Sequence, residues 1–307
     1  MITLGIDTSN YATSLALYDS AENRVIAAIK KFLTVKQGQL GLRQSDAVFE
    51  HTKAMPELLR ELATHKSFFD VEVVGVSSKP RNIEGSYMPC FLAGKSVASA
   101  ITLQTANPLV ETSHQEGHIA AALFGTNRLD LWNKKFYAFH VSGGTTDLML
   151  VNGMYDVKQI GTSTDLYAGQ AIDRLGNVLG FPFPSGEYVS QLAEACKDDL
   201  SIQTKKPSLH ISISGVENQY KKLLDEKYTN EQICKFTLTR IAHMLNGMLV
   251  CAKEQYGDFP VIAAGGVMSS TTITHYLKEK QTNIYFAPAQ FSSDNAVGVA
   301  IIASKEI

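Results

Sequence analysis

The 307-residue sequence predicts an α/β protein made of two ribonuclease-H-like halves in series, and three observations carry that expectation. Strand-like runs that end in small polar residues occur twice, as "ITLGIDTSN" and "FYAFHVSGGTTD". Each leads into further strand-like runs and then into alternating helical and strand-like segments, a β-β-β-α-β-α order in both halves. The length suffices for two lobes, and 45% hydrophobic with 19% charged residues is the balance of an ordinary globular chain. Element order, rather than sequence identity between the halves, carries the duplication, and a nucleotide cleft between lobes is the expected consequence.

In order along the chain, "ITLGIDTSN", "ATSLALYD" and "VIAAIKKF" read as a three-strand meander. "SDAVFEHTKAMPELLRELATH" has apolar residues at helical spacing, with Ser45 or Asp46 as the expected N-cap. "VEVVGVS" is a strand, "FLAGKSVASAITLQ" a helix, "PLVET" a short strand, and another helix opens at "SHQEGH". After a loop near "GTNRLDLWNKK" the pattern restarts with two strands around the turn in "FYAFHVSGGTTDLMLVNG" and a third in "VKQIGTS". Helices over 165–180 and 230–254, the strand "PVIAAGG", a helix after Ser269, the strand "NIYFA" and a terminal helix complete the second half. The run "PCFLAGKS" ends like a phosphate-binding loop, but Pro89 stands where that motif needs glycine, and the segment reads as helix interior.

No apolar run reaches the roughly 18 residues of a membrane span. The first residues lack the basic region and apolar core of a secretion signal, so the expected location is cytoplasmic, with no membrane partner. Cys90, Cys196, Cys234 and Cys251 form no CxxC pair and are expected to be reduced, mostly buried thiols. The formal charge of −2 lacks the basic bias that supplies most affinity for a polyanion. Lys30-Lys31 and Lys134-Lys135 read as solvated faces, so an RNA substrate would call for basic surface from a partner chain.

Two glycine turns can hold an anion. In "SGGTTD", Gly143 and Gly144 carry no Cβ and can take positive φ, which lets backbone amides approach a phosphate. In "AAGGVMSS" a strand ends at a glycine pair before a helix N-terminus. Either alone is also compatible with a tight turn, whereas the two together favour nucleotide binding, with the Ser142–Gly143–Gly144 turn as the phosphate contact. His114 and His118 stand four residues apart, on one face of a helix, with Gly117 leaving room beside them. Spacing alone admits two surface histidines as well as an incomplete metal site. A carboxylate from elsewhere would complete a set suited to Fe(II), Zn(II) or Mn(II).

Seven segments, "LGIDTS", "SHQEGH", "VSGGTTDL", "AGQAIDRLGNVLGFPFPSG", "ISISG", "AAGGV" and "SSDNAVGVA", follow one another as in the TsaD/YgjD family. That family makes N6-threonylcarbamoyladenosine in tRNA and was formerly called O-sialoglycoprotein endopeptidase; the sequence resembles it over essentially its whole length. The resemblance implies the actin and sugar-kinase fold. It implies a first lobe of residues 1–128 with 291–307 that carries the metal-binding helix, and a second, 129–290, that carries the nucleotide-binding loops. It implies metal ligands His114, His118 and Asp294, the last brought across the cleft by the terminal helix. Substrate contacts would come from His140, Val141, Ser142, Gly143, Gly144, Asp173, Gly186 and Ser270, where Ser270 occupies the position of a family asparagine. The implied reaction is metal-dependent transfer of a threonylcarbamoyl group from its adenylate to N6 of adenosine 37, with an adenine nucleotide as substrate or product. Fe(II) is the first choice of ion, with Zn(II), Mn(II) or Mg(II) as alternatives. tRNA, partner proteins and a heteromeric complex with a TsaB-like paralogue are the implied partners.

The chain departs from the family pattern near the candidate site. Where the family reads G-I-E-T-S-C-D-E-T, residues 5–13 read "GIDTSNYAT", so Tyr11 and Ala12 replace an acidic pair. Gln170 replaces a glutamate, Glu217 a lysine and Thr145 a histidine. These changes mark a divergent paralogue and keep two further classes open. One is a nucleotide-dependent kinase or carbamoyl transferase for another acceptor, with Asp7, Thr145 and Asp147 resembling the phosphate-loop residues of sugar kinases. The other is a non-catalytic nucleotide-binding partner of a true family enzyme.

Overall fold

A computed structural model describes residues 1–9, 11–34, 42–198, 200–202 and 206–307; Asn10 lies outside them. The chain divides into two compact units, 1–129 with 293–307, and 130–292. The first unit runs β1 (Ile2–Thr8), β2 (Ala12–Asp19), β3 (Arg24–Phe32), α1 (Gln44–Ala63), β4 (Val73–Lys79), α2 (Phe91–Thr105), β5 (Leu109–Ser113) and α3 (His114–Gly125). The second runs β6 (Lys135–Val141), β7 (Thr146–Asn152), β8 (Val157–Ser163), α4 (Ala168–Val178), α5 (Gly186–Ala195), β9 (His210–Ile211), α6 (Ser214–Asp225) and α7 (Asn230–Tyr256). It continues through β10 (Val261–Ala264), α8 (Thr271–Lys280), β11 (Ile284–Phe286) and α9 (Ala289–Ser292), and α10 (Val297–Lys305) returns to the first unit.

The duplication is plain in the sheets. The first has the order β3-β2-β1-β4-β5, antiparallel across β1, β2 and β3 and parallel from β1 to β4 to β5. The second repeats this as β8-β7-β6-β10-β11 with the same senses of pairing, and adds β9 beside β8. β9 and the helices α5 and α6 were not expected from the sequence. In the first unit Leu4, Ile6, Leu15, Leu17, Val74 and Val76 pack with Leu58 and Leu62 of α1. In the second, Tyr137, Phe139 and Leu148 pack with Leu238, Ile241 and Leu245 of α7, whose N-terminus carries a Thr229/Gln232 capping box.

α10 is apolar nearly all round and buried along Val297, Val299, Ile301 and Ile302. It lies close on the first sheet because Gly5 and Gly75, paired across β1 and β4, present no side chain to it. A Cβ at Gly5 would stand 2.3 Å from Ala296 O, and one at Gly75 would stand 2.7 Å from Val299 O.

Several boundaries differ from the sequence expectation. α1 begins at Gln44 with Arg43 as N-cap and no capping side chain, so Ser45 and Asp46 lie in its first turn. Gln44 Oε1 accepts instead from Cys90 N–H at 3.2 Å. α4 begins at Ala168 rather than 165 because the Asp165 carboxylate is used elsewhere, accepting from Ile213 N–H at 2.8 Å and Ser214 N–H at 3.3 Å at the start of α6. Burial pushes its carboxyl up, but the Ser212 and Ser214 hydroxyls with the Leu166 and Ser214 amides hold it well below the usual range. Gly94 sits in the first turn of α2, where its N–H donates to Thr8 Oγ1 at 3.1 Å. The four cysteines are free thiols, three of them buried. Among the described residues no helix is long and apolar enough to cross a membrane.

Candidate functional site

β5 ends at Ser113, and α3 starts at His114 under a capping box. Ser113 Oγ accepts from Glu116 N–H at 3.2 Å, while Glu116 Oε2 accepts from Ser113 N–H and Thr112 Oγ1, both at 2.8 Å. Asn82 Nδ2 donates to the other carboxylate oxygen at 2.9 Å. The glutamate of "HQEGH" is therefore buried and committed to holding the helix start, which is what fixes the two imidazoles in place.

On that helix the His114 and His118 Nε2 atoms stand 3.0 Å apart. Asp294 Oδ1 lies 3.1 Å from His118 Nε2 and 3.6 Å from His114 Nε2. Three donors about 2.1 Å from one ion stand about 3.0 Å apart at right angles and about 3.4 Å apart in a tetrahedron. The donor set thus fits a single divalent cation, and these three residues can hold a metal ion. Two imidazole nitrogens and a carboxylate oxygen at such distances also repel one another unless a proton or a cation sits among them.

Asp294 belongs to the same compact unit as the histidines, 1–129 with 293–307. It precedes α10 in a turn that Asn295 shapes, with Asn295 Oδ1 accepting from Val297 N–H at 3.0 Å. Gly117 does not make room for an ion. It faces α10, where a Cβ on Gly298 would stand 1.8 Å from Gly117 O. This backbone approach seats α10, and with it Asp294, against the histidine helix.

The protonation states follow from the neighbours. Burial pulls His114 down, but the Asp7 and Asp294 carboxylates outweigh it and push the ring up to about 9. Burial pushes Asp294 up, yet His118, His114 and the Ser9 hydroxyl hold it well below the usual carboxylate range. Asp7, expected at a phosphate, is 0% exposed. Its oxygens lie 3.1 and 3.2 Å from His114 Nδ1, and Ser77 Oγ donates to it, so it sits under an imidazole instead of facing an anion. Of the replaced acidic pair, Tyr11 is 56% exposed, whereas Ala12 is buried opposite Phe32 in the sheet.

The second unit contains a cavity of about 600 Å³. Gly143, Asp173, Gly186 and Ser270 line it, as do Glu187 and Glu194 of α5, which the sequence reading missed. Ser142, Gly144 and Thr145 complete the β6–β7 turn without lining it, and His140 and Val141 lie within β6, Val141 fully buried. Gly143 and Gly144 do not adopt the left-handed conformation anticipated for them; Gly265 does, with φ +104. The turn is shaped from outside, since Gly169 N–H donates to Ser142 O at 3.1 Å and a Cβ at Gly169 would stand 2.5 Å from Gly143 N. The adjoining small residues Ala168-Gly169 at a helix start were the available signal for that contact.

Burial raises Asp173, partly offset by a bond from Ser185 N–H at 2.8 Å. Ser270 Oγ is buried and has no hydrogen-bond partner among the described residues. Three carboxylates and three serine residues suit hydroxyl and amino donors of a nucleoside better than a bare phosphate. Away from the cavity wall, Gln170 still serves the α4 capping box, and Glu217 bridges Arg174 at 2.8 Å and Lys221 at 2.7 Å.

A family model described as tRNA N6-adenosine threonylcarbamoyltransferase, TsaD, matches residues 28–301, a span that includes both histidines and Asp294. The tRNA N6-adenosine threonylcarbamoyltransferase of Persephonella marina is 27% identical over 99% of this chain and 90% of its own length. That of Neisseria gonorrhoeae is 24% identical over 100% and 94%. Among solved structures, the activator of 2-hydroxyisocaproyl-CoA dehydratase from Clostridium difficile has a TM-score of 0.57 at 14% identity, covering 100% of this chain and 95% of that one. A ROK family glucokinase from Streptomyces griseus has 0.55 at 10% identity, covering 99% and 100%. At such identities these two likenesses establish the fold alone, that of actin and the sugar kinases. The family match, in contrast, runs through nearly the whole chain, and on that ground the chain belongs to the tRNA N6-adenosine threonylcarbamoyltransferase family.

Proposed function

We propose that the protein transfers a threonylcarbamoyl group from threonylcarbamoyl-adenylate to N6 of adenosine 37 in tRNA, with a divalent metal held by His114, His118 and Asp294. The observation that carries this reading is the convergence of those three donor atoms in a chain of this family. Two imidazoles and one carboxylate suit Fe(II) first and also Zn(II) or Mn(II); Mg(II), which favours oxygen donors, fits least. Bound there, the ion supplies Lewis-acid polarisation of the carbamoyl group.

The chain's own residues do the positioning. His114 and His118 are fixed by the α3 cap, and Asp294 by the seat of α10. In the second unit, Asp173 and Ser270 take adenosine hydroxyl and amino groups, with Gly143 and Gly186 leaving space for the nucleoside. His140, Val141, Ser142 and Gly144 shape the adjoining β6–β7 hairpin. Adenosine N6 attacks the carbamoyl carbon. The C–N bond forms as the bond to the adenylate oxygen breaks, AMP leaves with the electron pair, and the N6 proton passes to the phosphate or to solvent. No nucleophilic side chain is required, and orientation with charge stabilisation carries the rate. Tyr11 and Ala12 contribute no carboxylate, so this chain leans further on orientation.

Other chemistries are disfavoured by particular contacts. A sugar-kinase-like phosphotransfer needs accessible acidic groups, but Asp7 is sealed under His114, and Asp147 accepts from Thr162 Oγ1 at 2.7 Å and Gln159 Nε2 at 3.1 Å. A peptidase role for Glu116 conflicts with its capping bonds. The net charge of −2 favours tRNA binding with help from partner proteins, a TsaB-like paralogue among them, in the cytoplasm.

The test is a tRNA modification assay with synthetic threonylcarbamoyl-adenylate, with and without candidate partner chains. Modified nucleoside and AMP in equal amounts, lost in H114A/H118A, are expected. Metal-loaded protein that forms neither product with any partner would overturn the reading.

A further inference from the structure

The candidate ligands are supported from behind by the end of one strand. Side chains alternate along β1, so Thr8 turns away, donating to Cys90 O at 3.0 Å and accepting from Gly94 N–H at 3.1 Å. Asp7 and Ser9 turn the other way. Asp7 presents both oxygens to His114 Nδ1, and Ser9 Oγ donates to Asp294 Oδ2 at 3.2 Å. We propose that Asp7 and Ser9 are positioning residues of the metal centre, Asp7 fixing the tautomer of His114 and Ser9 fixing which oxygen Asp294 offers. The inference rests on the metal reading above and deepens it.

A neutral imidazole has one N–H and one lone pair, and a carboxylate can only accept. When His114 acts as a neutral ligand, the proton shared with Asp7 therefore belongs to Nδ1, which leaves the lone pair on Nε2, the atom facing His118 and Asp294. A carboxylate with no exposed surface is costly unless its oxygens are satisfied. Here Ser77 and His114 satisfy them, and the cluster holds one geometry. The negative charge behind the ring also strengthens Nε2 as a donor, as such partners do behind metal-bound histidines. Ser9 does the matching work on the carboxylate: with Oδ2 engaged, Oδ1 is the oxygen turned towards both Nε2 atoms. Two of three ligands are thus set by residues 7 and 9 at the end of β1, neither of which belongs to the donor set found among the described residues.

Metal-free protein prepared with a chelator is to be titrated with Zn(II) against a chromophoric competitor, then loaded with Co(II) for its visible spectrum. D7N is expected to weaken Zn(II) binding by about 10- to 100-fold and to shift the Co(II) bands. S9A and S77A, which leave every ligand and the Asp7 charge in place, are expected to weaken binding less and to shift the bands in the same sense. The melting temperature of each metal-free variant separates loss of fold from loss of geometry. If D7N does not fold, S77A and S9A decide on the same two readouts. Wild-type affinity and an unchanged Co(II) spectrum in the folded variants would overturn the inference. A wild-type chain that binds no Zn(II) in the same titration would overturn the metal reading itself.

Discussion

The two units share a strand order and differ in what fills the first hairpin of each sheet. At the end of β1 the side chains are polar, buried and saturated: Asp7 with Ser77 and His114, Ser9 with Asp294, Thr8 with Cys90 and Gly94. At the end of β6 the chain turns through Gly143 and Gly144, where an added Cβ would meet nothing, and a cavity opens beside it. One hairpin backs the three donors that can hold an ion, and the other leaves volume beside it. On the proposed function the same topology serves two binding tasks, set apart by the residue types at the two hairpins.

If the tasks are separate, they should be separable by mutation. The largest effect is expected for H114A/H118A, which should carry no bound transition metal by elemental analysis while binding AMP as the wild type does in calorimetry. Loss of both would break the comparison. G298A should come next. Its methyl group would collide with Gly117 O, a backbone atom that cannot step aside, and overpacking of this kind costs about 3 kcal/mol. Thermal unfolding should show that loss, and Zn(II) affinity should fall with it because Asp294 rides on the seat of α10. Unchanged metal affinity in a destabilised G298A would detach the ligand set from the helix packing.

How much of this is legible in the sequence depends on whether a residue's role is local. The meander, the alternating helices and strands, and α3 opening at the histidines follow from periodicity and from the Ser113–Glu116 spacing. The pairing of His114 with His118 is likewise local. Asp294 was reachable only through resemblance, because 176 residues separate it from His118. Asp7 reads in sequence as a possible phosphate contact because an Asp near the end of a strand looks the same whether it faces solvent or lies under a ring, as it does here. Gly117 reads as leaving room for an ion, and with Gly298 it proves to be a contact point between helices. Glu187 and Glu194 were invisible for a similar reason: which face of α5 meets the cavity is decided by its packing on α7 and α8, not by its own spacing.

A smaller effect sharpens the second half of the comparison. Asp173 is raised by burial and lines the cavity. D173N keeps its shape and removes its charge, and should weaken AMP binding by roughly tenfold, about 1.4 kcal/mol, the scale of one charge-assisted hydrogen bond. Metal content should stay at the wild-type level. Equal AMP affinity in D173N would take the adenosine out of this cavity.

The smallest effect concerns His51, which lies behind the β1 hairpin on α1 with Nδ1 2.7 Å from Thr13 Oγ1. Burial lowers its pKa from 6.5, and the Ser9 backbone and the Asp7 carboxylate pull the other way without restoring it. The folded state therefore holds the ring neutral at a pH where the unfolded chain already binds a proton. Its contribution to stability is complete above about pH 6.5 and is lost as the pH falls through the window between 6.5 and the lowered folded value. Melting curves of metal-free protein between pH 7.5 and 5, with H51Q as the comparison, should show a steeper acid loss in the wild type. Parallel curves for the two proteins would mean that His51 titrates alike folded and unfolded. The packed polar layer behind β1 would then be open to solvent protons, the property that distinguishes the second unit's hairpin from the first.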